Sequence, residues 1–145
     1  MASFTVTTNS AEVKKRMIKR EKIAEKQILR LLQRGVDRVE STVIVGLHGG
    51  PKSGATYTRR SVTHKASAAG QYPATDTGFL ASNISSSLDK KRKIGRVTSS
   101  ANYSKHLEYG TKDMAARPFM FPSLEKNRRK ILSWFKDAGL LRRTT

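Results

Sequence analysis

The chain contains no cysteine, so neither a disulfide framework nor a thiolate metal site is open to it, and a reducing compartment is permitted. Histidine is nearly as scarce. His48, His64 and His106 are the 3 imidazoles, and none stands at the HxxxH or HxxE spacing that would bring two metal ligands onto one helical turn. Acids are few as well, 11 Asp and Glu against 29 Lys and Arg. They are scattered, mostly beside cations on helices, so no paired carboxylates and no nucleophile with a base nominate a catalytic centre. No run approaches the ~18 apolar residues of a membrane span. The segment Met1-Ala2-Ser3-Phe4-Thr5-Val6 carries neither the charged nor the apolar region of a signal peptide. These absences predict a protein with no enzymatic activity, no cofactor and no metal, made and used in the cytoplasm and not placed in a membrane.

What is abundant is positive charge. A net +18 opposes compaction and attracts a polyanion, whether nucleic acid, an acidic protein surface or an anionic membrane. With 145 residues there is room for one core, and 37% hydrophobic and 7% aromatic residues make that core lean. The expectation is a single domain over 1–145 with part of its length extended, or with a core shared between subunits.

Asn9 precedes Glu12 by three positions, a capping pattern that predicts a helix start. Val13, Met17, Ala24, Ile28, Leu31 and Leu32 then recur at helical spacing. Nine cations from Lys14 to Arg34, against Glu21 and Glu25, crowd the rest of that helix. Contact with a polyanion and a merely solvated face are both open for them. The periodicity runs on, through a weak point at Gly35, to Val45. Gly46-Leu47-His48-Gly49-Gly50-Pro51-Lys52-Ser53 superficially resembles a phosphate-binding loop, but Pro51 cannot donate an amide to a phosphate, and no helix pattern follows. This stretch reads as a hinge.

From about 47 to 75 neither periodicity holds. The stretch carries Lys52, Arg59, Arg60 and Lys65 and no acid, and it reads as an extended basic arm that orders on assembly. Its aromatics are Tyr57 and Tyr72, too few for base stacking, so any DNA contact there would be to phosphates. Asp76-Thr77-Gly78 predicts the start of a short helix carrying Phe79 and Leu80. Ile84 to Leu88 and Ile94 to Ser99, around the polar turn Asp89-Lys90-Lys91-Arg92-Lys93, predict a hairpin with one solvated face. Tyr103 and Leu107 predict a short helix ended by Gly110. A last helix is expected from near Pro122 to Gly139, burying Leu124, Ile131, Leu132 and Phe135, with a frayed tail at Arg142-Arg143. No repeat is visible. The order predicts a small α+β fold: long amphipathic helix, basic arm, antiparallel hairpin, C-terminal helix.

Two segments carry a resemblance. One runs Ala66-Ser67-Ala68-Ala69-Gly70-Gln71-Tyr72-Pro73-Ala74-Thr75-Asp76-Thr77-Gly78-Phe79-Leu80, on through Ser82-Asn83-Ile84. The other holds Tyr103, Leu107-Glu108-Tyr109-Gly110-Thr111, Met114 and Ala116-Arg117-Pro118-Phe119-Met120. Each motif alone is weak, but the ordered pair resembles the minor head-tail joining, neck and tail-completion proteins of long-tailed bacteriophages, the group that includes tail-completion protein Z of phage lambda.

The resemblance implies a non-enzymatic virion protein of the head-tail junction, made in the host cytoplasm. It implies a hexameric ring of copies of itself, with head-completion or connector proteins and tail-terminator or tail-tube proteins as neighbours, and non-specific contact with genomic DNA phosphates as a further partner. Asp76, Leu80, Tyr109, Gly110, Arg117, Pro118 and Phe119 are the expected packing and interface residues. Within that set, Tyr109, Arg117 and Phe119 are expected to form a corner holding the hairpin against the last helix. Lys52, Arg59, Arg60 and Lys65 are expected to face DNA or an acidic neighbour. The alternative, for which charge alone suffices, is a basic architectural nucleic-acid-binding protein.

Overall fold

A computed structural model describes residues 9–50 and 52–141; the expected frayed tail at Arg142-Arg143 lies outside them. The fold is α+β, as expected, and is organised on one helix. Helix α1 (Ser10–His48) has 39 residues and is therefore about 58 Å long. It ends three residues beyond the expected Val45, running straight through Gly46. The physical reason is a close contact: a Cβ at position 46 would lie 2.3 Å from the Tyr72 ring. Glycine is required there so that an aromatic ring can lie on the helix backbone, and the position is a packing site, not a hinge.

Val36, Val39, Val43 and Leu47 form the buried stripe of α1, spaced to stay on one face. On it rest the strands β1 (Ile84–Asp89) and β2 (Ile94–Ser99), paired antiparallel with Ser86 opposite Val97. Side chains on the sheet's inner face, Ile84, Ser86 and Leu88 with Gly95, Val97 and Ser99, alternate with exposed ones, giving the expected solvated outer face. Gly95 lets the strand backbone sit against Val36, and Ser86 donates to Glu40 at 2.7 Å, tying sheet to helix. The core is completed by Leu80 and Ala81 of the short helix α2 (Phe79–Ser82), by Ala101, and by Phe119, which is fully buried. A second short helix, α3 (Ser104–Tyr109), follows the sheet.

The last helix, α4 (Met120–Asp137), begins two residues before Pro122 and crosses α1. Its buried face matches the expected one in part: Ile131 and Phe135 are partly buried, Ile131 over Gly35 of α1. Ser123, Asn127 and Trp134 are buried, whereas Leu124 and Leu132 are about half exposed. The reason is a polar seam between the helices. Asn127 accepts from Arg38 Nε at 2.8 Å and donates to Thr42 Oγ1 at 2.9 Å and to the Ser123 carbonyl at 2.8 Å. With its partners in place, burying this amide costs little, and Leu124 and Leu132 are turned outward.

The expected arm at 47–75 is not extended. Strands β3 (Thr56–Arg59) and β4 (Val62–Lys65), so numbered because they form a separate sheet, make a tight antiparallel hairpin with Tyr57 opposite His64. Arg60 and Ser61 both have positive φ, 49° and 64°, the geometry of the two-residue turn that matches strand twist. The residues from 66 to 78 are then woven into the body. Gln71 accepts from the Ser53 and Ala68 amides and donates to Ser53 Oγ. Tyr72 shares a hydrogen bond of 2.8 Å with Ser123 on α4.

Candidate functional site

The second motif folds into one structural device. Glu108 on α3 places its carboxylate at the start of α4 and accepts three backbone amides: Phe119 at 2.8 Å and Met120 at 3.0 Å on Oε2, Phe121 at 2.9 Å on Oε1. Helix α4 has no side-chain cap of its own, and a carboxylate at a helix N-terminus meets both the orphan amides and the positive end of the dipole. The intervening loop is tight. Gly110 takes φ 79°, and any Cβ there would lie 2.8 Å from the Met114 carbonyl. Arg117 donates its amide to the Leu107 carbonyl at 2.7 Å, which returns the chain to α3. Phe119 then drops into the core with no exposure.

Of the corner expected from Tyr109, Arg117 and Phe119, only the last two pack inward. Tyr109 is 77% exposed, because on α3 it lies next to the capping Glu108 and points away from the core. Arg117 is half-buried and its Nη1 reaches Met114 Sδ at 3.6 Å. Pro118 is partly buried between Arg117 and Phe119. The capping role of Glu108 escapes pattern reading, since a cap supplied from another element leaves no local spacing.

Asp76 anchors the first motif. It does not cap α2, whose first residue follows Gly78 in a left-handed conformation and which has no side-chain cap. Instead its carboxylate accepts from Arg59 at 2.6 Å and pairs with His64 at 3.0 Å, locking both strands of the outer hairpin to the body. The bond to Asp76 and its charge raise the Arg59 guanidinium above its ordinary value. Leu80, one turn on, is buried.

The four arm cations thus separate. Lys52 is turned inward, its ammonium donating to the carbonyls of Tyr72 at 2.8 Å and Pro73 at 3.0 Å, and partial burial holds its pKa below the ordinary lysine value. Arg59 is committed to Asp76. Arg60 at the hairpin tip and Lys65 on its second strand are exposed. Two of the four are thus engaged by groups of this same chain, and two are left exposed.

Two apolar surfaces have no counterpart within the described residues. Every residue from Ser10 to Ile23 is exposed, so the first third of α1 stands clear of the body, and Val13 (55%), Met17 (64%) and Ile18 (44%) lie along one side of it. On the body, an open groove of about 660 Å³ runs between α1, the β1–β2 sheet, α3 and α4. Val36, Val97, Tyr109, Phe121, Leu124 and Ile131 are among its walls. Among the described residues no group of three or more His, Cys, Asp or Glu is placed to hold a metal ion, and no helix is long and apolar enough to cross a membrane.

The chain matches no protein-family model, no curated protein and no solved structure.

Proposed function

We propose that the chain is a non-enzymatic structural subunit of a phage virion neck, one copy of a ring joining the head connector to the tail. The observation that carries this reading is a peg and a socket on the same molecule. The free part of α1 presents Val13, Met17 and Ile18, and the body presents an apolar groove with a different surface. Unlike patches on one chain make heterologous contacts, and such contacts close into rings when the rotation allows. The occupant of the groove is the α1 peg of the next copy.

The peg is about 21 Å long and 11 Å wide, from helix dimensions, a footprint well short of the ~800 Å² per partner of a standard interface. One contact alone is therefore weak, and ring closure or a neighbouring virion protein has to supplement it, which suits stepwise assembly. The motifs behind the family resemblance support the same reading through their roles here. Asp76 fixes the outer hairpin, and Glu108, Gly110 and Phe119 fix α4, so both serve to shape surfaces.

The cysteine-free chain makes a direct test available. A Val13→Cys/Leu124→Cys variant treated with a short bis-maleimide should give a ladder of covalent oligomers ending at a closed ring. The control Val13→Cys/Lys91→Cys should stay largely monomeric. Monomer from both at high concentration would refute peg-in-groove assembly. Particle imaging with tagged protein then tests the neck, where absence of the tag from the head-tail junction would refute the virion assignment.

A further inference from the structure

We infer that the outer face of α1 is a track for the phosphate backbone of double-stranded DNA, read without sequence preference. This stands apart from the neck reading, since the placement of charge along α1 carries it.

At about 100° per residue, Lys15, Lys19, Lys22, Lys26 and Arg30 fall within a ridge roughly 80° wide and about 22 Å long. All five are exposed. None belongs to any of the ion pairs among the described residues. The nearby acids lie to one side of the ridge or at its tip. Glu25 faces the body and meets Lys93 at 3.4 Å, Glu21 lies on that same side by helical spacing, and Glu12 at the tip is taken by Arg16 at 2.6 Å. At the body end the ridge stops at Asp37, which accepts from Gln33 at 2.7 Å, while Arg34 lies about 40° to one side with its guanidinium 4.0 Å over the Trp134 ring.

A solvated helix face gains from acids interleaved at i,i+4, and like charges at that spacing oppose the helix. Five cations in a row, with no acid on their line between Lys15 and Arg30, therefore work against α1 until an external polyanion neutralises them. The ridge is straight and evenly charged, which fits a rod carrying one charge per ~1.7 Å of axis. It carries no aromatic side chain, and single-strand binding uses aromatics as stacking platforms, so the duplex is favoured. An acidic protein would offer a patch instead of a line.

The test is fluorescence anisotropy of the full chain with a labelled 30-base-pair duplex across a salt series. One variant neutralises Lys15, Lys19, Lys22, Lys26 and Arg30 to Gln. A charge-matched control neutralises Lys90, Lys91, Arg92, Lys105 and Lys112, all exposed and off the ridge. Circular dichroism checks that both keep the wild-type helix content. Each lost phosphate contact reduces the salt slope by about 0.9. The ridge variant should therefore lose about 4 to 5 from the slope and on the order of a thousandfold or more in affinity at 0.1 M salt, and the control far less. Equal losses in the two variants would overturn the ridge, leaving only diffuse net charge. So would unchanged DNA binding by the ridge variant alongside lost binding to poly-glutamate, an outcome that would assign the face to an acidic protein.

Discussion

Replacing Glu108 with alanine removes the side chain that caps α4, and the size of the effect follows from the three amides it serves. An ordinary N-cap substitution costs about 1 kcal/mol for one bond, and a bond to a charged group contributes about 1.5–3 kcal/mol. Water can reach part of this end, since Phe121 is 64% exposed, and it recovers some of the loss. The Phe119 amide lies deeper, beside a side chain with no exposure. Glu108→Ala should therefore cost about 2–4 kcal/mol, a large share of the ~5–15 kcal/mol that holds a domain folded. Glu108→Gln keeps one acceptor oxygen for either Phe119 and Met120 or Phe121, and turns an NH₂ towards the other amide side, so about 1–2 kcal/mol should be lost. Urea denaturation at fixed protein concentration is the assay. Trp134, the single tryptophan, reports from within α4, and far-UV circular dichroism reports the whole chain. A Glu108→Ala loss within 0.5 kcal/mol, the range of an indifferent surface substitution, would refute the capping argument.

Gly46→Ala should destabilise by about 1–3 kcal/mol despite alanine's better helix propensity, because its Cβ would meet the Tyr72 ring; the denaturation midpoint checks this, and an unchanged or raised midpoint would mean the ring moves freely. Asp76→Ala should release the outer hairpin while leaving the core folded, seen as faster amide exchange confined to residues 56–65, since both anchors at Arg59 and His64 go at once. Lys52 has a lowered folded-state pKa caused by burial, so the unfolded chain binds its proton more tightly and stability rises with pH from that depressed value up to ~10.4. Lys52→Met lacks this gain, so its stability relative to wild type should fall as pH is raised through that range; a pH-independent difference between the two would refute the assignment. Tyr109→Ala should leave monomer stability within about 0.5 kcal/mol, given 77% exposure, and a larger loss would show that the ring packs in the free chain.

The long helix, the inner hairpin with its solvated face, the short helices and the terminal helix were legible from sequence because each rests on a local signal: apolar periodicity, a polar turn, or proline and glycine at helix ends. The outer hairpin was not. Thr56 to Lys65 is exposed almost throughout, so no alternation marks it, and its turn uses Arg60 and Ser61 where Gly or Asn would have given the signal. The buried face of α4 was misplaced in part, at Leu124 and Leu132, for a related reason. Ser123 and Asn127 look like surface residues until Arg38, Thr42 and Tyr72 arrive from distant parts of the chain to satisfy them.

Composition by itself determined the charge, the absence of thiol chemistry and the thin core, because those are sums over residues and need no geometry. Local spacing determined most of the helices and the inner hairpin, because backbone periodicity is a property of neighbours in sequence. Only the tertiary structure decided which polar groups are anchors and which are free. Lys52, Arg59 and Asp76 are committed to partners, Glu108 caps a helix it does not belong to, and Tyr109 stands in solvent. Hydrogen bonds between residues far apart in the chain exist only once the fold brings both ends together, and no spacing along the sequence records them.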